Sequence, residues 1–472
     1  MKKIKYIYLL CFALVLAVFS SCEDESKYDN TAIKVTQVYL EDHKSSQPDR
    51  PVDFARLGQL IRIEGSGFLG MQKIYVNGYD TYFNVAYITD NSMLLSIHSK
   101  TPVMEADTDV RNTIRFVKKG AEFTFPLIIR AATPFITSIS NSLPKAGEKV
   151  TVYGSNLHET TKLTLPGGVE VITGIESDEE GKWYSFTMPT GLSEGGSIYS
   201  EGANGKAATP GYFNFTNCMV LDFDSDENGK QGYWSWSETG SMINADDLVN
   251  DPLNSGRGKC LQLIPERILT GANGGVLPGK ARAIECWTEG GDGGLDDWTR
   301  MYNEAYGITA STPLAEVAFQ FDIYVPEAWS STGHIQLSLF NNFNFGGIGS
   351  DDDGKKHTAF FVPYIQDGQI LPFQTTGWQT VTIPFSKFGY YADKLADKEV
   401  TTPPTFQAVV EDRLAATYKN FGMGLVNTDF TYQGLSITSV LMNQRIYIDN
   451  WRVVPYANIE ISDFNDEAAE EE

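Results

Sequence analysis

Residues 58–78 and 147–167 carry one pattern twice, 89 positions apart. Gly58, Gly65 and Phe68 recur as Gly147, Gly154 and Leu157; Ile74 and Val76 recur as Leu163 and Leu165; Gly78 recurs as Gly167. In each copy a short strand-like segment (Leu60 to Ile63; Lys149 to Tyr153) runs into a turn (Gly65-Ser66-Gly67-Phe68; Gly154-Ser155-Asn156-Leu157). A second segment follows it (Lys73 to Val76; Lys162 to Leu165). Short strands bounded by glycine turns, repeated at a period near ninety residues, predict small β-sandwiches in tandem. The glycines read as hairpin positions at positive φ, which Gly reaches without steric cost.

Both copies resemble the IPT/TIG immunoglobulin-like domain, each entered by an extended segment (Ile33 to Leu40; Pro134 to Ser140). The resemblance places Ig-like modules at residues 33–132 and 133–217.

Ahead of them, Lys2, Lys3 and Lys5 precede an apolar run from Tyr8 to Phe19. That run suits the h-region of a signal peptide and is short for a membrane span. Ser20 and Ser21 then precede Cys22. The pattern resembles a bacterial lipoprotein signal, which implies loss of residues 1–21 and acylation of Cys22. A multiply acylated N-terminus anchors stably, at about 0.8 kcal/mol per buried methylene. Glu23-Asp24-Glu25 resembles the export signal that sends Bacteroidetes lipoproteins to the outer face of the outer membrane. Residues 22–32 are polar and read as a tether. No later segment is long and apolar enough to span a bilayer.

A chain of 472 residues exceeds one core of typical size. Its formal charge of −23 repels nucleic acid and anionic head groups, which removes both as partners. Once Cys11 leaves with the signal and Cys22 takes lipid, Cys218, Cys260 and Cys286 remain. Three cysteines allow one disulfide at most, and their spacing fits no zinc pattern.

Residues 218–457 have another texture. Seven of the eight tryptophans fall there. Candidate strands are Met219 to Phe223, Lys259 to Ile264, Ala281 to Trp287, Glu316 to Val325, His334 to Phe340, Trp378 to Pro384, Phe421 to Val426 and Arg445 to Val454. With no helical period among them, they predict a β-sandwich of jelly-roll size. The whole is then all-β, ending in an acidic tail over residues 458–472.

Three pieces of this last region look like carbohydrate-binding jelly rolls: Phe319 to Pro326, Gly377 to Phe385 and Ile446 to Arg452. With the lipoprotein start and the tandem Ig-like modules, the chain resembles the surface glycan-binding proteins of Bacteroidetes polysaccharide-utilisation loci. It resembles the kind whose C-terminal domain holds hemicelluloses such as xyloglucan. The resemblance implies non-catalytic capture of a polysaccharide, a β-linked hemicellulose by family habit. It also implies partnership with transporter components of the outer membrane, and no cofactor.

A sugar site needs aromatic planes for the apolar ring face and polar side chains for the hydroxyl rim. In Arg282 to Trp287, alternation puts Glu285 and Trp287 on the outer face if Ile284 and Cys286 enter the core. The same logic turns Gln320, Asp322, His334, Gln336 and Phe340 outward. Trp298, Trp329 and Phe343 sit in Gly-, Asp-, Ser- or Asn-rich segments that read as loops. The expected glycan site is therefore Trp287, Trp298, Trp329, Phe343, Glu285, Asp322 and Gln336. Trp378 and Trp451 read as core. Trp234 and Trp236 share a face that serves core and ligand equally well.

Competing chemistry is limited. Gly65-Ser66-Gly67-Phe68-Leu69-Gly70 matches the dinucleotide-binding glycines but leads into a strand, where a cofactor needs a helix N-terminus. No serine-hydrolase elbow or His-Glu-x-x-His motif occurs. A jelly-roll glycosidase or lyase would need two carboxylates about 5–10 Å apart, and Glu285 with Asp322 is the pair to inspect. An adhesin acting through the Ig-like modules is a third class, weighed against by the aromatics gathered in the last domain. Asp351-Asp352-Asp353-Gly354 reads as a solvated acidic loop, and Asp222, Asp224 and Asp449 are where a structural calcium would sit.

Overall fold

The computed structural model describes residues 28, 30–41, 50–224, 233–234, 243, 245–268, 283–288, 297–340, 347–348 and 357–461. The signal segment, Cys22, most of the tether and nearly all of the acidic tail lie outside them, as do Phe343, Trp236 and the Asp351–Gly354 run. Among the described residues no helix is long and apolar enough to cross a membrane.

These residues form two compact units. One comprises residues up to Thr133 with Ala203–Gly205; the other comprises Pro134–Gly202 and Lys206 onward. The first unit is an Ig-like sandwich. One sheet orders Arg50–Pro51, Lys34–Leu40, Leu60–Ser66 and Ser92–Ser96; the other orders Tyr79–Asp80, Met71–Val76, Thr113–Lys118 and Ala121–Pro126. Alternate residues of each strand, such as Ile61 and Ile63 against Ile74 and Val76, close the core.

The second module repeats this plan. Phe135–Ile139, Lys149–Ser155, Trp183–Thr187 and Glu176–Ser177 form one sheet, and Val169–Val171, Lys162–Leu165, Tyr199–Gly202 and Gly205–Ala208 form the other. The repeated glycines have two different causes. Gly58 and Gly147 sit at φ +83° and +89°, as a turn requires. Gly65 and Gly154 are needed for another reason: a Cβ on them would overlap the carbonyl oxygen of Lys34 or Phe135 on the neighbouring strand. Close backbone approach there replaces the expected positive φ.

The last domain is a two-sheet sandwich. Its six-stranded sheet orders Leu248–Asn250, Lys259–Leu263, Ile446–Pro455, Val317–Tyr324 and Gln379–Pro384, with Met219–Leu221 also paired to Ile446–Pro455. Its five-stranded sheet orders Tyr233–Trp234, Ala283–Thr288, Gly422–Val426, His334–Ser338 and Thr358–Phe361. Every strand expected from alternation is present. Between the sheets, Phe319 and Phe421 meet at 4.3 Å, with Trp451 edge-on to both. Such pairs add about 0.5–1.5 kcal/mol beyond area burial. Trp378 and Trp451 are buried as expected.

Two short helices, Gly389–Ala396 and Phe406–Ala415, were not legible as helical periods. They anchor beside the edge strand through one carboxylate: Asp412 Oδ2 lies 3.0 Å from His357 Nε2 and accepts from the Tyr391 hydroxyl at 2.8 Å. Cys218, Cys260 and Cys286 are all free and buried.

Candidate functional site

Around Gln320 and Asp322 the outer face of the six-stranded sheet is polar and sealed, while Tyr324 and Tyr447, stacked at 5.7 Å, are half-buried further along it. On Val317–Tyr324, Phe319, Phe321 and Ile323 enter the core, so Gln320 and Asp322 point the other way, as alternation requires. The second Ig-like module lies on them. Asp322 Oδ2 accepts from Arg257 Nη1 at 2.8 Å, and Asp322 Oδ1 accepts from Arg452 Nη2 at 2.9 Å and from Thr380 Oγ1 at 2.8 Å. Arg257 also donates to Asn141 Oδ1 and the Leu143 carbonyl, each at 3.0 Å, and Arg452 to Ser142 Oγ at 2.8 Å. The Ser140 carbonyl accepts from the Thr380 amide at 2.8 Å. Asn141 to Leu143 belong to the second module, so this ionic cluster ties module to domain.

Asp322 is wholly buried. Burial pushes its carboxyl upward, but the Arg452 and Arg257 charges overcome this and hold it below the usual carboxylate range. Asp449, 3.8 Å from Arg257 Nη1, behaves oppositely: burial and the neighbouring Asp322 charge push it up to about 8. Asp322 is therefore a structural ion-pair residue, a correction to its expected place among glycan ligands.

The outer face of the five-stranded sheet has a different make-up. Register places Trp287, Gly422 and Ser338 in one row across three strands, and Glu285, Gly424 and Gln336 in the next. Val426 and His334 follow. The middle strand contributes two glycines to this face, and the Trp287 ring uses the space. A Cβ on Gly422 would overlap that ring. The ring also packs with Val426, and its Nε1 donates to Glu285 Oε2 at 3.2 Å. Trp287 thus lies down on the sheet and is 1% exposed. It is no open platform, which corrects the expected exposure. Glu285 and Gln336 share its face, as expected, and are buried too. The Gln336 Oε1 accepts from the Gly347 amide at 3.1 Å.

Trp298 and Trp329 do not join this group. Asp297 Oδ1 accepts from the Thr299 amide at 2.9 Å, capping a short turn that drives Trp298 and Met301 into the core. There Trp298 lies under the Arg413 guanidinium, 3.9 Å from its ring centre, and beside Phe421. Trp329 is equally buried, its Nε1 donating to the Thr332 carbonyl at 2.7 Å. Both residues were expected to be exposed on loops; the Asp297 cap turns Trp298 inward, and a backbone bridge to Phe373 with the indole bond to Thr332 holds Trp329 inside. The Asp-x-Thr spacing of Asp297 and Thr299 was the available signal for Trp298. Trp234 pairs backbone to backbone with Trp287.

Glu285 and Asp322 belong to outer faces of opposite sheets, and packed sheets lie about 10 Å apart before their outward side chains are added. With Asp322 held by two arginines, the two cannot flank one glycosidic bond. The carboxylates where a structural calcium would be sought are engaged in backbone bonds: Asp224 Oδ1 accepts from the Lys259 amide at 2.6 Å, Asp222 Oδ1 from the Asp224 amide at 3.1 Å and Asp449 Oδ1 from the Asn450 amide at 2.8 Å. Among the described residues no cluster of three His, Cys, Asp or Glu is arranged to hold a metal.

One ring absent from the sequence expectation does stand out. Tyr418 is 61% exposed on the loop that leads into Gly422–Val426. That loop is pinned beside Trp287. The Thr288 carbonyl accepts from Asn420 Nδ2 at 2.6 Å, and Thr288 Oγ1 accepts from the Phe421 amide at 3.0 Å. Tyr418 is thus the exposed ring of the loop that enters the strand carrying Gly422. Its segment, Ala416-Thr417-Tyr418-Lys419-Asn420, carries no tryptophan or glycine to mark it.

Known proteins bear on this architecture. Residues 213–455 match the family described as surface glycan-binding protein B xyloglucan binding domain. An IPT/TIG domain-containing protein of Bacteroides ovatus is 26% identical over 201 residues, a match that spans 40% of this chain and 40% of that relative. The crystal structure of the surface glycan-binding protein PbSGBP-B from Prevotella bryantii superposes with a TM-score of 0.58 at 18% identity, covering 90% of this chain and 99% of that one. That likeness supports the three-sandwich fold. With the matched domain filling just over half of its length, the chain belongs to the surface glycan-binding protein B family.

Proposed function

We propose that this protein captures a polysaccharide at the cell surface without altering it, and that the polysaccharide is a β-linked hemicellulose of the xyloglucan type. The observation that carries this is the unequal use of the two sheets. One outer face is consumed by the second Ig-like module around Asp322. The other gathers Trp287, Glu285 and Gln336 in adjacent rows, with Tyr418 exposed on the loop that enters the strand carrying Gly422. The matched family supplies the ligand class through its xyloglucan-binding description. Acylated Cys22 would hold the chain on the outer face of the outer membrane, beside transporter components of the same uptake system. The Ig-like modules would then raise the binding domain above the lipid.

Affinity electrophoresis of the full-length protein in gels containing xyloglucan, mixed-linkage β-glucan, mannan or host glycans tests this. Retardation by xyloglucan, with no shortened products after prolonged incubation, is the expected result. Products would make the protein an enzyme.

A second reading rests on the first module. Tyr82, Val85 and Tyr87 are 81%, 70% and 60% exposed, so among the described residues the exposed aromatics are not gathered in the last domain. A patch of this kind suits a protein partner. Retardation by no glycan would turn attention to it.

A further inference from the structure

Beside the Gln336 row the described structure holds three buried polar atoms that make no hydrogen bond: both ring nitrogens of His334, and Thr428 Oγ1. They crowd one point. A Cβ built on Gly347, which sits at φ +83°, would lie 2.5 Å from Thr428 Oγ1 and 3.2 Å from His334 Cε1. The same glycine donates its amide to Gln336 Oε1. His334 is otherwise surrounded by rings, with Phe430 at 4.9 Å and Phe360 at 5.6 Å. Burial lowers its pKa to about 3, so the imidazole is neutral, with one N–H to donate and one nitrogen to accept.

Buried polar groups are almost always paired, and an unpaired one costs the desolvation of that group. A leucine or phenylalanine at position 334 would fill the same ring-lined space without that cost. Retention of an imidazole with both nitrogens idle, next to an idle hydroxyl, points to a partner that arrives from outside. A neutral imidazole beside a hydroxyl is matched by a neutral partner that both donates and accepts. A sugar hydroxyl does both.

We infer that His334 and Thr428 read a hydroxyl of the bound glycan at the inner end of the five-stranded sheet's outer face. This rests on the capture reading above. The pair acts by complementing a hydroxyl of the sugar's polar rim.

The test uses His334→Leu and Thr428→Val in the full-length protein, with Thr428→Ser as a rescue that keeps the hydroxyl. Removing idle polar atoms should leave the melting temperature equal to or above that of the parent. Calorimetric titration with xyloglucan oligosaccharide should show about tenfold weaker binding for His334→Leu and for Thr428→Val, the effect of one neutral hydrogen bond. Thr428→Ser should bind as the parent does. Parental affinity in both apolar variants, with or without a change in melting temperature, would overturn the inference while leaving capture intact. A parent protein that binds no polysaccharide would remove the inference together with the reading it rests on.

Discussion

The two sheets of the last domain are built on the same rule and end in opposite roles. In both, alternate residues enter a shared apolar core and the others face outward. On the six-stranded sheet the outward Gln320 and Arg452 meet Ser142 of the second Ig-like module, and Asp322 joins them in a buried ionic cluster through Arg452. On the five-stranded sheet the outward residues include two glycines, a tryptophan laid flat, a carboxylate, an amide and an unpaired imidazole. Facing away from the core is therefore not the same as facing a ligand. What decides is whether another part of the chain has a complementary surface to place there.

The sharpest way to break this comparison is Asp322→Asn. It strands Arg257 and Arg452 as buried charges, for which a loss of about 3–5 kcal/mol is expected. Chemical denaturation should record that loss, and glycan affinity of the folded fraction should stay unchanged. Tyr418→Ala is the mirror experiment. The side chain is exposed, so melting should barely change, while titration with xyloglucan should lose about 1–3 kcal/mol if the ring stacks as bases do on aromatic platforms. Gly422→Ala probes the seat of Trp287. The added methyl forces the indole off the sheet, with an expected cost of about 1–3 kcal/mol in stability and weakened binding in the same variant.

The last test reads a slope against pH. Asp449 has a folded pKa near 8, above the unfolded value of about 3.9. The folded state then binds the extra proton between these values, so this group's contribution to stability falls as pH rises through that window. Asp322 works in reverse: its lowered pKa contributes stability above the unfolded value that is lost as pH falls through the folded one. Melting curves from pH 5 to pH 9 should decline less steeply for Asp449→Asn than for the parent. Parallel slopes would mean that Asp449 does not titrate in this window.

Strand positions were legible because each reports itself locally. Phe319, Phe321 and Ile323 alternate whatever surrounds them, and the outward direction of Glu285, Trp287, Asp322 and Gln336 followed from the same period. Roles beyond direction were not legible. Nothing near Asp322 in sequence announces Arg257 or Arg452, which are 65 and 130 residues away and meet it only in the folded unit. Trp298 misled because a Gly/Asp-rich segment reads as solvent-exposed until the Asp297 cap is recognised. The helices at Gly389–Ala396 and Phe406–Ala415 span only 8 and 10 residues; the first buries Tyr391 alone, and the buried face of the second, Phe406, Val409, Val410 and Arg413, has an arginine where the apolar period would continue. Tyr418 escaped notice because a lone tyrosine in a polar loop is ordinary until the neighbouring Thr288 shows where the loop is pinned.

The central claim is that glycan is held on the five-stranded side while the six-stranded side is structural. The most direct measurement is affinity electrophoresis of Trp287→Ala, Tyr418→Ala and Asp322→Asn side by side in xyloglucan gels, at a temperature where all three remain folded. The account predicts that retardation is lost or much reduced in the first two and retained in Asp322→Asn. Retardation retained in both aromatic variants but lost in folded Asp322→Asn would contradict it and move the site to the sheet that the second module covers.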